Sequence, residues 1–157
     1  MIEDQLRKII RKTGWSFLDI QIKSFEAFKD VYGFIAANDL LRFTGKLLGE
    51  IIDAQNRSDD FVGHAGGSNF VVITSEELAV PIQQKLKVRF NEESQAHYNF
   101  MDREQGFILA PGSNGEMQKT PLMTLAIGVV SPSSHEFSDI REITELAADE
   151  RRKDSNI

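Results

Sequence analysis

The spacing of apolar side chains changes period several times along the chain, and each change predicts a new element. Ile2, Leu6, Ile9 and Ile10 form one helical stripe among charges, which predicts an amphipathic lead-in helix within residues 1–14. Leu18, Ile20 and Ile22 then alternate with Asp19, Gln21 and Lys23, the period of a strand with one buried face. Phe25, Phe28 and Tyr32 return to helical spacing, and Gly33 is placed to end that short helix. A longer helix carries Leu40, Leu41, Thr44, Leu47, Leu48, Ile51 and Ile52 on one side.

Phe61-Val62 and Phe70-Val71-Val72-Ile73 flank Gly66-Gly67 and predict a β-hairpin with glycine conformations at its tip. Ile82, Leu86 and Phe90 mark a third core helix, with Pro81 tolerated in its first turn. Gly106 to Ala110 and Met117 to Lys119 surround the turn residues Pro111 to Gly115, a second hairpin. Leu122 to Val130, between Pro121 and Pro132, reads as a central strand buried on both faces. Ser138 is placed to cap a last helix that turns Ile140, Ile143 and Ala147 inward. Helices covering one face of a mainly antiparallel sheet make an α+β domain, with residues 15–157 as its core. There is no internal repeat or low-complexity linker.

Composition narrows the chemistry. The 157 residues are 41% hydrophobic and 27% charged, as in a globular chain rather than a disordered one. The absence of Cys removes disulfides, thiolate nucleophiles and Cys-based metal sites. Eighteen Lys and Arg against 24 Asp and Glu give a net charge of -6, which argues against DNA as a partner but leaves room for a small anion in a local basic pocket. No apolar run approaches the ~18 residues of a membrane span, and the first residues do not read as a signal peptide, so the expected location is cytoplasmic without membrane insertion.

Four segments then read together: Gln21-Ile22-Lys23-Ser24-Phe25, Asp30-Val31-Tyr32-Gly33-Phe34, Arg57-Ser58-Asp59-Asp60, and His64-Ala65-Gly66-Gly67-Ser68-Asn69-Phe70. With Ile127-Gly128-Val129 they resemble the GGDEF family of diguanylate cyclases, over residues 2–153. Tyr98 to Met123 looks like the extra hairpin of the family branch whose signature reads GGDDF. The resemblance implies a βααββαβ core similar to nucleotidyl cyclase and polymerase palm domains, with the signature at a hairpin tip, in a single domain.

Members of that family join two GTP molecules by attack of a ribose 3′-hydroxyl on an α-phosphate, a reaction that needs Mg²⁺ between anionic side chains and phosphate oxygens. The resemblance places an Asp of the first strand at Gln21 and the third signature acid at Ser68, with Asn69 and Phe70 completing the signature after Gly66 and Gly67. Both metal-binding anions are thus replaced by neutral side chains. The Lys beside the phosphate-binding turn is Glu26, the guanine-recognising Asn is Lys29, the guanine-pairing Asp is Asn38, and the usual His after Tyr32-Gly33 is Phe34. Asp19, on the same strand face as Gln21, is the carboxylate that a shifted metal site would use.

Arg57 and Asp60 keep the spacing of the family's product-binding inhibitory site, where the Arg grips a guanine edge and phosphate of cyclic di-GMP. The same residues also suit an exposed loop Arg with Asp60 opening a strand, and both readings stand at this point. His64 reads as a hairpin residue, His97 and His135 are isolated, and Glu150-Arg151-Arg152-Lys153 reads as a solvated helix end. The expected function is a catalytically inactive regulatory module of bacterial signalling, a candidate cyclic di-GMP receptor with no cofactor, partnered by other signalling domains or a second copy. The alternatives are a divergent cyclase or GTP-binding domain using Mg²⁺, and a purely structural dimerisation module.

Overall fold

The computed structural model describes residues 1–154. The elements run α1 (Ile2–Ile9), β1 (Trp15–Lys23), α2 (Phe25–Tyr32), α3 (Phe34–Asp53), β2 (Phe61–Gly66), β3 (Asn69–Ser75), α4 (Ala79–Glu93), α5 (Phe100–Gln105), β4 (Phe107–Pro111), β5 (Met117–Pro121), β6 (Thr124–Val130) and α6 (Ile140–Asp154). The main sheet has the order β2-β3-β1-β6, and every pair in it is antiparallel. The architecture is α+β, as the periodicity predicts.

The β1 strand lies at the centre of this sheet and differs from its expectation. Leu18, Ile20 and Ile22 face one core with Phe28, Leu40, Leu48, Ile82 and Phe90 from α2, α3 and α4. Trp15 and Phe17 face a second core with Leu6 of α1 and Ile143 and Ala147 of α6. Helices therefore cover both faces of the sheet rather than one, and Asp19 is buried instead of wet. The alternation in β1 is real, but its polar phase faces a helix that arrives from the far end of the chain.

The last strand also needs correction. β6 is well buried, but it forms an edge of the sheet, paired only with β1. Part of its open backbone is met by side chains: Asp154 Oδ2 accepts from the Ile127 N–H at 2.7 Å, and Gln83 Nε2 donates to the Ile127 carbonyl at 3.4 Å. Covering an edge in this way blunts its capacity to pair with another strand.

Between α4 and the second hairpin lies a helix that the spacing does not announce. In α5, the Asn99 side chain accepts from the Asp102 N–H at 2.8 Å, and Gly106 ends the helix at φ 82°. The Tyr32 hydroxyl donates to the Asp102 carboxylate and accepts from the Asn99 N–H at 3.1 Å, tying α5 to α2. Tyr32 stacks on Phe28, and Tyr98 meets both rings edge-on. Burial pushes the Tyr98 phenol up to about 12, while its oxygen accepts from the Met123 N–H at 2.8 Å. β4 and β5 form a separate two-stranded sheet. At α6, the cap is supplied by Asp139 Oδ1, which accepts from the Arg141 N–H at 2.8 Å, while Ser138 bonds to Glu142 instead.

Close packing of α6 on β6 depends on Gly128. A Cβ there would lie 2.1 Å from the Ala147 carbonyl oxygen and 2.4 Å from the Arg151 nitrogen, both backbone atoms that cannot rotate away. Gly128→Ala is expected to lower stability by about 1–3 kcal/mol. Gly49→Ala, where a Cβ meets nothing within 4 Å inside the last turns of α3, is expected to be neutral or to stabilise by about 0.5–1 kcal/mol. Urea denaturation of both variants checks this, and equal stability of the two would contradict the packing account.

Candidate functional site

The β2–β3 hairpin places the signature residues. Gly66 and Gly67 have φ of 101° and 52°, a region where glycine avoids the strain of a Cβ, and a β-bulge falls between His64 and Gly66. His64 Nε2 donates to the Gly67 carbonyl at 2.7 Å, and the His64 ring stacks on Phe70 at 4.5 Å. Phe70 is buried in the core and roots the hairpin there. The Ile22 N–H donates to the Ser68 carbonyl at 3.0 Å, setting the tip beside the end of β1.

Under the tip lies a polar network. Asp19 Oδ1 accepts from Arg151 Nη1 at 2.8 Å and from Asn69 Nδ2 at 2.7 Å. Arg151 also donates to Asn69 Oδ1 at 3.0 Å, and Asn69 Nδ2 reaches the Ile20 carbonyl at 3.0 Å. The ion pair is largely buried, with 13% of the Arg151 side chain and 10% of that of Asp19 exposed. The expectation of a solvated end therefore fails at Arg151, although Arg152 and Lys153 do pair locally with Asp149 and Glu150. Its signal was present in the sequence: Arg151 continues the inward stripe of Ile143 and Ala147 by one more helical turn.

Gln21 and Ser68 come together with Lys23, Ser24 and Glu26 around a cleft of about 160 Å³. The Mg²⁺ implied by the family requires anionic oxygens beside the phosphates. The cleft offers the Gln21 amide, the Ser68 hydroxyl and one carboxylate, Glu26, from α2 rather than from the strand. Asp19 is engaged by a cation and an amide, and no group of three or more His, Asp or Glu suited to a metal occurs among the described residues. This donor set does not fit a dication that must grip a triphosphate against water. Lys29 and Asn38 are exposed on α2 and α3, and their side chains have no hydrogen-bond or ion-pair partner among the described residues.

Arg57 and Asp60 lie at the other end of the hairpin from its tip, at a cavity of about 510 Å³ between β2, the end of β3 and the lead-in segment. Arg57 Nε donates to Asp60 Oδ1 at 3.2 Å, and the Asp60 side chain is 1% exposed. The other carboxylate oxygen, Oδ2, has no partner among the described residues. Thr74 Oγ1 and Ser75 Oγ are the two further buried side-chain oxygens without a partner among the described residues, and both residues line this same cavity. Buried polar atoms are normally hydrogen-bonded, so the open Asp60 Oδ2 beside Arg57 leaves one acceptor at the edge of this cavity for a donor. Lys8 and Lys12 also line it and were not singled out by sequence reasoning, because their position depends on how α1 docks.

Breaking the Asp19–Arg151 pair from one side strands a buried charge. Arg151→Met is expected to cost about 3–5 kcal/mol, and the double variant Asp19→Leu/Arg151→Met much less than the sum of the single changes. A double-mutant cycle from chemical denaturation reads the coupling; additive losses would mean that the pair does not act as a unit.

A family model for the diguanylate cyclase GGDEF domain matches residues 1–119. A search of curated proteins finds no match. Among solved structures, the chain is similar to the active GGEEF domain of a diguanylate cyclase from Vibrio cholerae, at 21% identity and TM-score 0.64 over 96% of this chain and 82% of that one. It is similar to the GGDEF domain of DgcB from Caulobacter crescentus in complex with c-di-GMP, at 12% identity and TM-score 0.68 over 99% and 82% of the two chains. It is also similar to the diguanylate cyclase SiaD from Pseudomonas aeruginosa, solved in complex with its activator SiaC, at 14% identity and TM-score 0.62 over 99% and 51%. No described helix is long and apolar enough to cross a membrane. The likeness to these structures is one of fold, and the match over residues 1–119 shows that the chain belongs to the GGDEF domain family of diguanylate cyclases.

Proposed function

We propose that this GGDEF domain binds cyclic di-GMP rather than making it, and acts as a regulatory module in bacterial signal transduction. The observation that carries this reading is the cavity at Arg57 and Asp60, where the unpaired Asp60 Oδ2 is buried beside a half-exposed guanidinium. A guanine Watson–Crick edge brings N–H donors that such a carboxylate oxygen accepts, and the planar fork of Arg matches guanine or phosphate acceptors. The DgcB neighbour is described in complex with c-di-GMP, which supports the same ligand class for this chain.

The catalytic half of the proposal rests on the tip of the hairpin. Gln21 and Ser68 supply neutral oxygens where the reaction needs anions, and Glu26 places a negative charge against an incoming triphosphate. Asn69 and Asp19 are committed to Arg151. The fold persists under these substitutions because none of them touches the apolar contacts that close the two cores.

Calorimetric titration of the protein with cyclic di-GMP is expected to give micromolar binding, worth about -8 kcal/mol, and Arg57→Ala is expected to weaken it at least tenfold. Silence of the wild-type protein would overturn the receptor reading. With GTP and Mg²⁺ the expected outcome is no cyclic di-GMP product; sustained metal-dependent conversion would restore the reading of a divergent cyclase.

A further inference from the structure

The cavity at Arg57 and Asp60 has a second wall. Gln5, Lys8 and Ile9 of α1 and Lys12 of the turn after it line it together with Thr74 and Ser75 of β3. Gln5, Lys8 and Ile9 share one side of α1 by their spacing of three and four residues, and the turn after the helix, closed by the Lys12 N–H donating to the Ile9 carbonyl at 2.8 Å, brings Lys12 to the same cavity. Lys8 and Lys12 are both exposed, and neither side chain has an ion-pair or hydrogen-bond partner among the described residues. Arg7, on a different side of the helix, is by contrast paired with Glu3 and Asp4. The charged side chains around the cavity are therefore Lys8, Lys12 and Arg57 against Asp59 and Asp60, a locally basic pocket on a chain of net charge -6.

This wall is lightly held. Leu6 is the one fully buried side chain of α1, with Ile2, Ile9 and Ile10 partly buried against the second core. An element with so few buried apolar contacts opens at low free energy compared with the core strands. Two ammonium groups lining one cavity also repel each other, which works against bringing both onto it. An anion between them would remove the repulsion and tie α1 to β2 and β3.

We propose that Lys8 and Lys12 hold the phosphates of the ligand whose base meets Arg57 and Asp60, so that occupancy of the cavity clamps the lead-in helix onto the sheet. The proposal rests on the binding reading above and adds to it the phosphate subsite and its mechanical consequence. The base is recognised by the sheet side, which is rigid, and the phosphates by the helix side, which is not. Ligand binding and helix docking are then linked, each strengthening the other by the same factor. A signal that pulls α1 away would release the ligand, and ligand would resist the pull.

The test titrates cyclic di-GMP into the 157-residue chain, into Lys8→Gln/Lys12→Gln, into Arg57→Ala, and into the charge control Lys46→Gln/Lys85→Gln, with hydrogen exchange of the amides of residues 2–12 followed with and without ligand. The lysine pair variant is expected to bind about tenfold more weakly, with less sensitivity to added salt, while the control matches wild type. Saturating ligand is expected to slow exchange in residues 2–12 of the wild-type chain and to do so less in the lysine pair variant. Wild-type affinity in the lysine pair variant, or exchange in α1 that ignores the ligand, overturns the clamp while the Arg57-dependent binding stands. Absence of binding to the wild-type chain overturns both.

Discussion

A carboxylate in the middle of a strand that is buried on both faces is the constraint around which this molecule is arranged. Asp19 sits on β1 between Phe17 and Gln21, under a helix rather than under water, and burial of an unpaired charge there would cost more than any nearby contact could return. Arg151 meets it from α6, and Asn69 closes the network from β3. The approach of α6 that makes this geometry possible depends on Gly128, where a side chain would collide with the helix backbone. One ion pair, one amide and one missing Cβ thereby fix the helix that seals the second face of the sheet.

The same network determines what the signature hairpin offers. Its fourth position, Asn69, faces inward as a donor and acceptor between Asp19 and Arg151, and its fifth, Phe70, is a core anchor. What the tip turns toward the cleft is a serine, beside a glutamine from β1. A hairpin of this shape is retained by glycine conformations and apolar roots, neither of which depends on the charge of the residues at its tip. Fold and catalytic charge are thus separable, which is why family membership alone does not specify the chemistry.

At the end of the hairpin away from its tip, some buried polar atoms lack partners among the described residues. Asp60, Thr74 and Ser75 each bury an oxygen without a partner among the described residues, and the lead-in segment at the same cavity carries two lysines whose side chains have none among those residues either. An open carboxylate oxygen on the sheet side and two lysines on the loosely seated lead-in segment suit a ligand with hydrogen-bond donors at one end and negative charge at the other. That polarity agrees with a nucleotide, and the proposed binding would connect to the position of the lead-in helix.

Much of this was legible in the order of residues. The helical stripes of α1, α3, α4 and α6, the glycine-tipped hairpin and the second hairpin follow from local periodicity and turn chemistry, which act between residues a few positions apart. The signature positions Gln21, Ser68 and Asn69, and the Arg57–Asp60 pair, were also readable as a resemblance because their spacing survives in one dimension. The short helix α5 escaped because a capped helix of six residues carries too little periodicity to register. Periodicity likewise assigns a residue to a face of its own element without saying what that face meets. Whether the polar face of β1 meets water or Arg151, 132 residues away, was decided by tertiary packing. So were the edge position of β6 and the cavity that joins α1 to β2 and β3. By itself the sequence determined the longer elements and the neutral chemistry of the signature; the tertiary structure decided burial, pairing and the shape of the cavity at Arg57 and Asp60, because those depend on which distant surfaces close on each other.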